Sequence, residues 1–295
     1  MADKRYLITG AGTGLGKGVA LGLAQLGLDV IAGVETAMEV PALIKEAEYQ
    51  RINLRVEKLD IKDPEDRERA AGWDIDVLVN NAGISLGGAI IDVPEQFLRE
   101  QFEVNVFGTI LLTQSVLRRM AGKGSGRIIF VSSVHGLIAD PFSGPYCASK
   151  HAIEAFGESL AREMQELGIE VQMINPGPYL TGLNDREYEA WREWDVKPEE
   201  RLFNYEELAF PYEQLDPEGC IEEMIAIIRG ESKDYRNVIP KALVSVAKKR
   251  RSDLWDRKID KDLGERDTMV ESALTLDPAT KPAEGIAKRI KEKFT

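Results

Sequence analysis

Short apolar runs alternate with longer amphipathic segments through the first half of the chain. The runs are rich in Val, Ile and Leu and bounded by Gly, Asp and Asn, as is typical of buried parallel strands. They predict strands at 5–9, 29–33, 54–58, 77–79, 126–132, 170–174 and 237–239. Between them, helical spacing of apolar residues predicts helices at 14–26, 94–121 and 147–167, the second opened by a short separate turn. This alternation predicts an α/β fold, a doubly wound and mostly parallel seven-stranded sheet with helices on both faces.

The regular alternation ends after Pro178. Residues 183–218 interleave acidic and aromatic side chains, and we predict that they form a lid over a substrate, because long loops in compact domains are often functional. Packing inside the protein or against a second subunit is the alternative for these aromatic residues. The charged residues 241–295 are predicted to form a helical extension. With no linker or internal repeat, the sequence 1–295 is predicted to be one domain.

The composition limits the kinds of partner that the protein is expected to bind. The chain has 295 residues with 43% hydrophobic content, enough for a large core, and a formal net charge of -12. That charge opposes binding to nucleic acid or anionic lipid. The two cysteines, Cys147 and Cys220, give no disulfide framework, and the N-terminal residues lack an export signal. Because no apolar run reaches the roughly 20 residues of a membrane span, we expect a soluble, cytoplasmic protein, and the sequence indicates no metal site.

A glycine-rich turn follows the first predicted strand and opens the first predicted helix. Gly10, Gly14 and Gly16 stand in the segment 9–16, which reads TGAGTGLG. Glycines permit a tight turn and let the backbone approach a pyrophosphate, whose charge is attracted by the helix N-terminus. The turn predicts a dinucleotide site, with a plain connection between strand and helix as the alternative.

The end of the second predicted strand, where an adenosine ribose would lie, carries Glu35. A carboxylate accepts hydrogen bonds from ribose hydroxyls and repels a 2′-phosphate, so it favours NAD over NADP. An exposed charge at a strand end is the alternative reading of Glu35. Asp60, after the third strand, is a candidate partner for the adenine amino group, or else a loop or capping acid.

Two further segments carry residues that could move a proton. Ser132 and Ser133 end an apolar strand, and Tyr146 and Lys150 lie four residues apart in the helical segment that follows. At that spacing they share one helix face, so the ammonium is expected to favour the phenolate and lower the pKa of the tyrosine from about 10. Such a tyrosine is a general acid and base, and a serine hydroxyl beside it can stabilise charge on a substrate oxygen.

Taken together, these motifs resemble the short-chain dehydrogenase/reductase family over about residues 5–181. The resemblance rests on six ordered elements: TGAGTGLG at 9–16, NNAG at 80–83, Asn105 within VNV, the strand-end Ser133, Tyr146 with Lys150 as YxxxK, and NPG at 175–177. It implies a Rossmann-type fold and a single catalytic domain. It also implies an NAD(H)-dependent oxidoreductase that interconverts a secondary alcohol and a ketone or related carbonyl.

The resemblance implies roles for individual residues. The catalytic tetrad would be Asn105, Ser133, Tyr146 and Lys150. Lys150 would also hold the nicotinamide ribose, and the main chain of Asn105 would bind a water of a proton relay. The residues that would bind the cofactor are Gly10, Thr13, Gly14, Leu15, Gly16, Glu35, Asp60, Ile61, Asn81, Ala82, Gly83, Tyr146, Lys150, Pro176, Gly177 and Thr181.

By the same resemblance, the substrate would lie over the nicotinamide. The expected contacts are Ser85, His135, Phe142, Tyr179 and Trp191, in a pocket suited to a bulky apolar alcohol or carbonyl compound. For His135 a plain role in the pocket wall is the alternative. We also expect a homodimer or homotetramer, because association through two long helices is common in this family.

The chain departs from the family pattern at the ribose contact. Relatives that prefer NAD usually carry Asp where this chain has Val34, and Glu35 follows one residue later. Relatives that prefer NADP often carry a basic residue in place of Glu35 or Thr13. Both positions therefore favour NAD.

Two other functions share this type of fold. One is a cofactor-independent lyase similar to halohydrin dehalogenases, in which arginine replaces the lysine; Lys150 and the intact glycine turn oppose it. The other is a dinucleotide-binding regulator without turnover, which the complete set of acid-base residues opposes.

Overall fold

The computed structural model describes residues 4–258 and 267–273. Its centre is a seven-stranded sheet, formed by β1 (Arg5–Thr9), β2 (Asp29–Val34), β3 (Arg55–Lys58), β4 (Val77–Asn80), β5 (Gly126–Val131), β6 (Ile169–Pro176) and β7 (Arg236–Ile239). The strands lie in the order β3-β2-β1-β4-β5-β6-β7, and every neighbouring pair is parallel. The predicted doubly wound α/β fold is confirmed, and the strand ends differ from prediction by at most two residues.

The helices pack on both faces of the sheet or beside the carboxyl ends of its strands. They are α1 (Gly14–Gln25), α2 (Glu39–Tyr49), α3 (Pro64–Ala71), α4 (Glu95–Phe102), α5 (Thr109–Lys123), α6 (Gly144–Met164), α7 (Leu183–Glu189), α8 (Glu218–Arg229), α9 (Leu243–Asp256) and α10 (Thr268–Ala273). A π-helical turn, Glu103–Gly108, joins α4 to α5, so the predicted helix 94–121 has three parts. The helix α6 begins three residues before its predicted start, since Pro145 in its first turn already has a helical φ.

Alternate residues of the strands pack into two hydrophobic cores, one on each face of the sheet. Leu7 packs with residues of α3, α5 and α6 on one face, whereas its neighbour Ile8 packs with residues of α1, α2 and α8 on the other. Both side chains are fully buried. This alternation fixes the register of each strand, because a slip of one residue would exchange the two faces.

A third, smaller core lies beside the carboxyl ends of the strands. It contains Phe142 from the loop before α6, Trp194 and Tyr205 from the segment 183–218, and Met269 from α10. The tryptophan and tyrosine rings meet edge to face, with their centroids 5.0 Å apart. Packing thus accounts for many aromatic residues of this segment, and its role as a lid stays a prediction.

The predicted extension 241–295 contains α9 and α10, while 259–266 and 274–295 lie outside the described residues. The homodimer or homotetramer stays a prediction. On the described surface, Phe107, Leu111 and Phe156 are exposed apolar side chains near or on the two long helices α5 and α6.

Candidate active site

A cleft of about 760 Å³ opens at the carboxyl ends of the strands, where β1 and β4 lie side by side and the chain turns to opposite halves of the sheet. Ligands of doubly wound sheets bind at such a reversal of strand order. The structure brings every residue predicted to bind the cofactor to the wall of this cleft, together with Ser133, His135 and Tyr179.

The glycine turn lies at the bottom of the cleft. Gly10 has a φ of +62°, and a Cβ on it would lie 2.7 Å from the Cα of Ala82. A Cβ on Gly16 would lie 2.4 Å from the carbonyl oxygen of Gly10. Side chains are therefore excluded at both positions, and the backbone is exposed to whatever fills the cleft.

This cradle fits a pyrophosphate. Within the described part of the chain, Thr13 at the N-cap of α1 makes no side-chain hydrogen bond to the first turn of the helix. The free amides and the helix dipole therefore attract a negative charge. The Asn81 side chain holds the turn in place, because its amide donates to the Thr9 carbonyl at 2.9 Å and to the Gly10 carbonyl at 3.2 Å.

Two carboxylates lie beside the glycine turn, at the end of the cleft where β2 ends. Glu35 and Glu39 both line it, and Glu39 accepts hydrogen bonds from the amide and hydroxyl of Thr36 at 2.8 and 2.9 Å. Lys62 Nζ lies 3.8 Å from Glu35 Oε1. Asp60 also lines the cleft, but its Oδ1 accepts from the Lys62 amide at 2.9 Å, so it acts at least as a turn cap. Glu39 had no motif to mark it in the sequence.

Asn105 lies behind the cleft wall, with 2% of its surface exposed. Its Nδ2 donates to the Ile84 carbonyl at 2.9 Å and to Ser149 Oγ at 3.0 Å, while its Oδ1 accepts from the Ile84 amide at 2.8 Å. The side chain thus ties the segment after β4 to α6. It stands in the π-helical turn, a distortion that is common at functional sites.

Ser133 follows β5 and faces the cleft. Its Oγ accepts a hydrogen bond from the His135 amide at 3.1 Å, and this leaves the hydroxyl hydrogen free to donate elsewhere. Asn175 fixes the same residue from behind, because its Nδ2 donates to the Ser133 carbonyl at 2.9 Å. The neighbouring Ser132 hydroxyl instead faces Gly136, where a Cβ would lie 2.5 Å away.

Tyr146 lies in the first turn of α6, and Lys150 lies one turn further along the same face. Lys150 Nζ is 5.7 Å from the centroid of the tyrosine ring and donates to the Val131 carbonyl at 3.0 Å. Both residues are buried, although both reach the cleft wall. The tetrad residues therefore surround one end of the cleft, three with their side chains in it and Asn105 behind it.

Burial controls the charges of this pair. Burial lowers the pKa of Lys150 to about 8, although the charge of the Glu154 carboxylate acts to raise it. It raises the pKa of Tyr146 above its usual value, and the charge of Glu187 raises it further, while a hydrogen bond from Ser133 lowers it. The structure thus differs from the expectation that Lys150 lowers the pKa of the tyrosine, because burial dominates the shift and the Lys150 ammonium is not among its causes.

The predicted substrate residues divide into two groups. His135 and Tyr179 line the cleft, whereas Ser85, Phe142 and Trp191 are not among its lining residues. Phe142 packs edge to face on Phe203 within the third core, with ring centroids 5.2 Å apart. The structure does not bring these three side chains into the cleft, because Phe142 and Trp191 pack in the third core and Ser85 is buried outside the lining of the cleft.

Other residues near the tyrosine carry no sequence motif. Glu187 from α7 is 1% exposed, and burial raises its pKa. Asp140, Tyr212 and Arg250 line the cleft beyond His135. They come from three distant parts of the chain, so no local spacing could have marked them.

Among the described helices, none has the length and apolar character needed to cross a membrane.

Comparisons with known proteins show what this chain is similar to. The family model described as short chain dehydrogenase matches residues 4–192. The chain is 39% identical to the uncharacterized oxidoreductase YusZ of Bacillus subtilis, over 62% of this chain and 68% of that protein. It is 35% identical to an NADPH-dependent 3-dehydrocapnine reductase of Ornithobacterium rhinotracheale, over 60% of this chain and 66% of that protein. The solved structure of a short-chain dehydrogenase from Streptomyces avermitilis superposes with a TM-score of 0.71 at 26% identity, covering 87% of this chain and 94% of that one.

Proposed function

This chain belongs to the short-chain dehydrogenase/reductase family of oxidoreductases, and from that premise we propose that it interconverts a secondary alcohol and a ketone or related carbonyl with NAD(H). The observation that carries this proposal is the meeting of Ser133, Tyr146 and Lys150 at one end of the cleft whose other end holds the glycine turn. A hydride donor and a proton donor can thus reach the same carbonyl group.

Each residue has a chemical role in this proposal. The dinucleotide, when bound, supplies a hydride to the substrate carbon or accepts one from it. The Ser133 hydroxyl donates to the substrate oxygen, where negative charge develops. Tyr146 donates its proton to that oxygen during reduction and removes it during oxidation. Its raised pKa keeps the phenol protonated at neutral pH, which is the form needed for reduction.

Lys150 and Asn105 support the tyrosine. The buried ammonium is available to the ribose hydroxyls, because its single bond to the Val131 carbonyl leaves two of its hydrogens unused within the described structure. Asn105 fixes the segment that carries Gly83 against α6. This keeps the cofactor wall and the catalytic helix at a constant separation.

The pocket side of the cleft favours an apolar substrate. Beyond His135 it is lined by hydrophobic side chains from several elements: Ile138, Tyr179, Phe210, Leu215, Leu243 and Val246. Such a wall offers contact area to a bulky apolar alcohol or carbonyl compound, and the polar side chains Asp140, Tyr212 and Arg250 beside it are hydrogen-bonded to one another.

The test of this function is a panel of secondary alcohols with NAD and of ketones with NADH, followed by nicotinamide absorbance. We expect transfer to bulky apolar members and little to small polar ones. NADH binding without turnover of any member would favour the regulator, whereas halide release from halohydrins without cofactor would favour the lyase.

We further expect NADH to bind about tenfold more tightly than NADPH, because Glu35 and Glu39 at the ribose end of the cleft would repel a 2′-phosphate. Replacing Glu35 by Arg should reverse the preference, since it replaces a repulsive charge by an attractive one and removes one of the two carboxylates that pair with Lys62. Fluorescence titration with both dinucleotides measures the two affinities.

The control for this pair of titrations is Glu48→Arg, which makes the same change of charge at an exposed position on α2. It should leave the affinity ratio unchanged. If the ratio of the affinities for NADH and NADPH is the same in Glu35→Arg and Glu48→Arg, Glu35 is an ordinary surface charge.

A further inference from the structure

Asp140 is a buried carboxylate on the far side of the pocket from the glycine turn. It lies in the loop between β5 and α6, and its side chain is 4% exposed. Its Oδ2 accepts from His135 Nε2 at 3.0 Å and from the Tyr212 hydroxyl at 3.1 Å. Its Oδ1 accepts from Arg250 Nη2 at 2.5 Å.

These donors come from three separate parts of the chain. His135 stands two residues after the catalytic Ser133, Tyr212 belongs to the segment 183–218, and Arg250 belongs to α9. Arg250 Nη2 also donates to the Ala139 carbonyl at 2.8 Å. One carboxylate therefore joins the loop after β5 to the segment 183–218 and to α9.

The charge of Asp140 is balanced within this cluster. Burial alone would raise its pKa, but the hydrogen bonds from His135 and Arg250 and the charge of Arg250 outweigh burial and hold the pKa well below its usual range. Asp140 is therefore ionised at neutral pH and can only accept hydrogen bonds. It follows that His135 Nε2 carries a hydrogen and donates it, which fixes one tautomer and one orientation of the ring.

The orientation of His135 matters because its ring faces the catalytic tyrosine. The His135 and Tyr146 rings meet edge to face, with centroids 5.9 Å apart and an interplanar angle of 77°. The amide of the same histidine holds Ser133 Oγ at 3.1 Å. A change in the position of His135 would thus reach both hydroxyls that face the substrate oxygen.

We propose that Asp140 and Arg250 are positioning residues for hydride transfer: Arg250 of α9 holds Asp140, and Asp140 holds His135 against Tyr146 and Ser133. The proposal rests on the oxidoreductase function proposed above. Neither residue touches the reacting atoms. They act by keeping the two catalytic hydroxyls at the geometry that the transition state requires, to which rates are very sensitive.

Histidine NMR tests the first half of this chain of contacts without any substrate. The protein has two histidines, and they are expected in opposite tautomers. His135 donates from Nε2 to Asp140, whereas His151 Nδ1 lies 2.8 Å from the Cys147 carbonyl and donates from that nitrogen. Long-range proton–nitrogen correlation spectra should therefore show one ring of each kind, assigned with His151→Gln.

Asp140→Asn and Arg250→Met should shift the His135 signals and leave those of His151 in place. The matched control is Lys249→Met, which removes the same charge from an exposed position of α9. Unchanged His135 signals in both Asp140→Asn and Arg250→Met would overturn the proposal. The NMR signals of His135 can be measured without turnover. They therefore separate a failure of the positioning proposal from a failure of the proposed function.

Kinetics test the second half. With the best substrate of the panel, Asp140→Asn and Arg250→Met should lower kcat about tenfold and change KM by less than about twofold, as expected for groups that orient a neighbour. Arg250→Lys should recover part of kcat, because an ammonium can replace one bond to Asp140. Tyr212→Phe removes a single hydrogen bond from the surface side and should give a smaller loss.

A purely structural role gives a different pattern. In that case Arg250→Met would lower the melting temperature, but kcat and the His135 signals would match those of Lys249→Met, and the proposal would be wrong. If Asp140→Asn does not fold, Arg250→Met and Tyr212→Phe decide the question, since Arg250 is partly exposed and Tyr212 exposed.

Discussion

Replacement of Tyr146 by Phe is expected to lower the rate of hydride transfer by about 10³-fold while the affinity for NADH changes little. The substitution removes the only atom of this side chain that can exchange a proton, and the ring keeps its volume in a site that is 6% exposed. Single-turnover absorbance measures the transfer step, and fluorescence titration measures the binding of the dinucleotide.

Tyr235→Phe is the matched control, because it removes a phenolic hydroxyl that is buried without a hydrogen-bond partner among the described residues. Its rate should equal that of the original protein. Normal turnover by Tyr146→Phe would mean that another group moves the proton. Loss of NADH binding in that variant would instead mean that the hydroxyl serves the cofactor.

Lys150→Met is expected to abolish turnover and, at neutral pH, to make the protein more stable. Burial lowers the pKa of Lys150 from 10.5 to about 8, which means that the folded state holds the ammonium at a cost of up to about 3 kcal/mol. The lost hydrogen bond to the Val131 carbonyl offsets about 1 kcal/mol of this gain. A residue kept at such a cost points to a function that needs its charge.

The sign of this effect gives it a pH dependence. The unfolded chain binds the proton more tightly than the folded chain, so the cost is fully present below pH 8. It disappears as the pH rises from about 8 to about 10.5, where both states lose the proton. Urea unfolding of Lys150→Met and of the original protein should therefore differ most at pH 7 and converge at high pH.

Lys123→Met is the contrasting case, because hydrogen bonding to Asp74 raises the pKa of Lys123 and the folded state there favours the charge. Lys123→Met should not be more stable than the original protein at any pH. If Lys150→Met is less stable than the original protein at pH 7, the ammonium is stabilised by contacts that outweigh its burial.

Much of the fold could be predicted from the sequence because the signals are local. Each strand is a compact apolar run, and pairing changes only its ends, as in β6, which continues to Pro176. The polar helix α3 was missed although Asp63 caps it and Pro64 opens it, since it buries only Asp66 and Ala70 and so has almost no apolar stripe. Its neighbours in space, rather than its own pattern, make it a helix.

The candidate site divides in the same way. Gly10, Ser133, Tyr146 and Lys150 could be found because a turn, a strand end and a helix face impose fixed spacings. Arg250 could not be found, because it meets Asp140 across 110 positions of sequence. The role of Trp191 was also beyond the sequence, since an aromatic residue in a long loop can face either a cleft or a core.

The sequence by itself determined the sheet, the glycine turn and the pairing of Tyr146 with Lys150, because each depends on residues that lie close together within one short segment of the chain. The tertiary structure alone decided the charge states around that pair. Burial, the carboxylate of Glu187 and the links from Asp140 to His135 and Arg250 bring together segments that are far apart in the chain. Desolvation and charge act through space, so only the folded path of the backbone sets their balance.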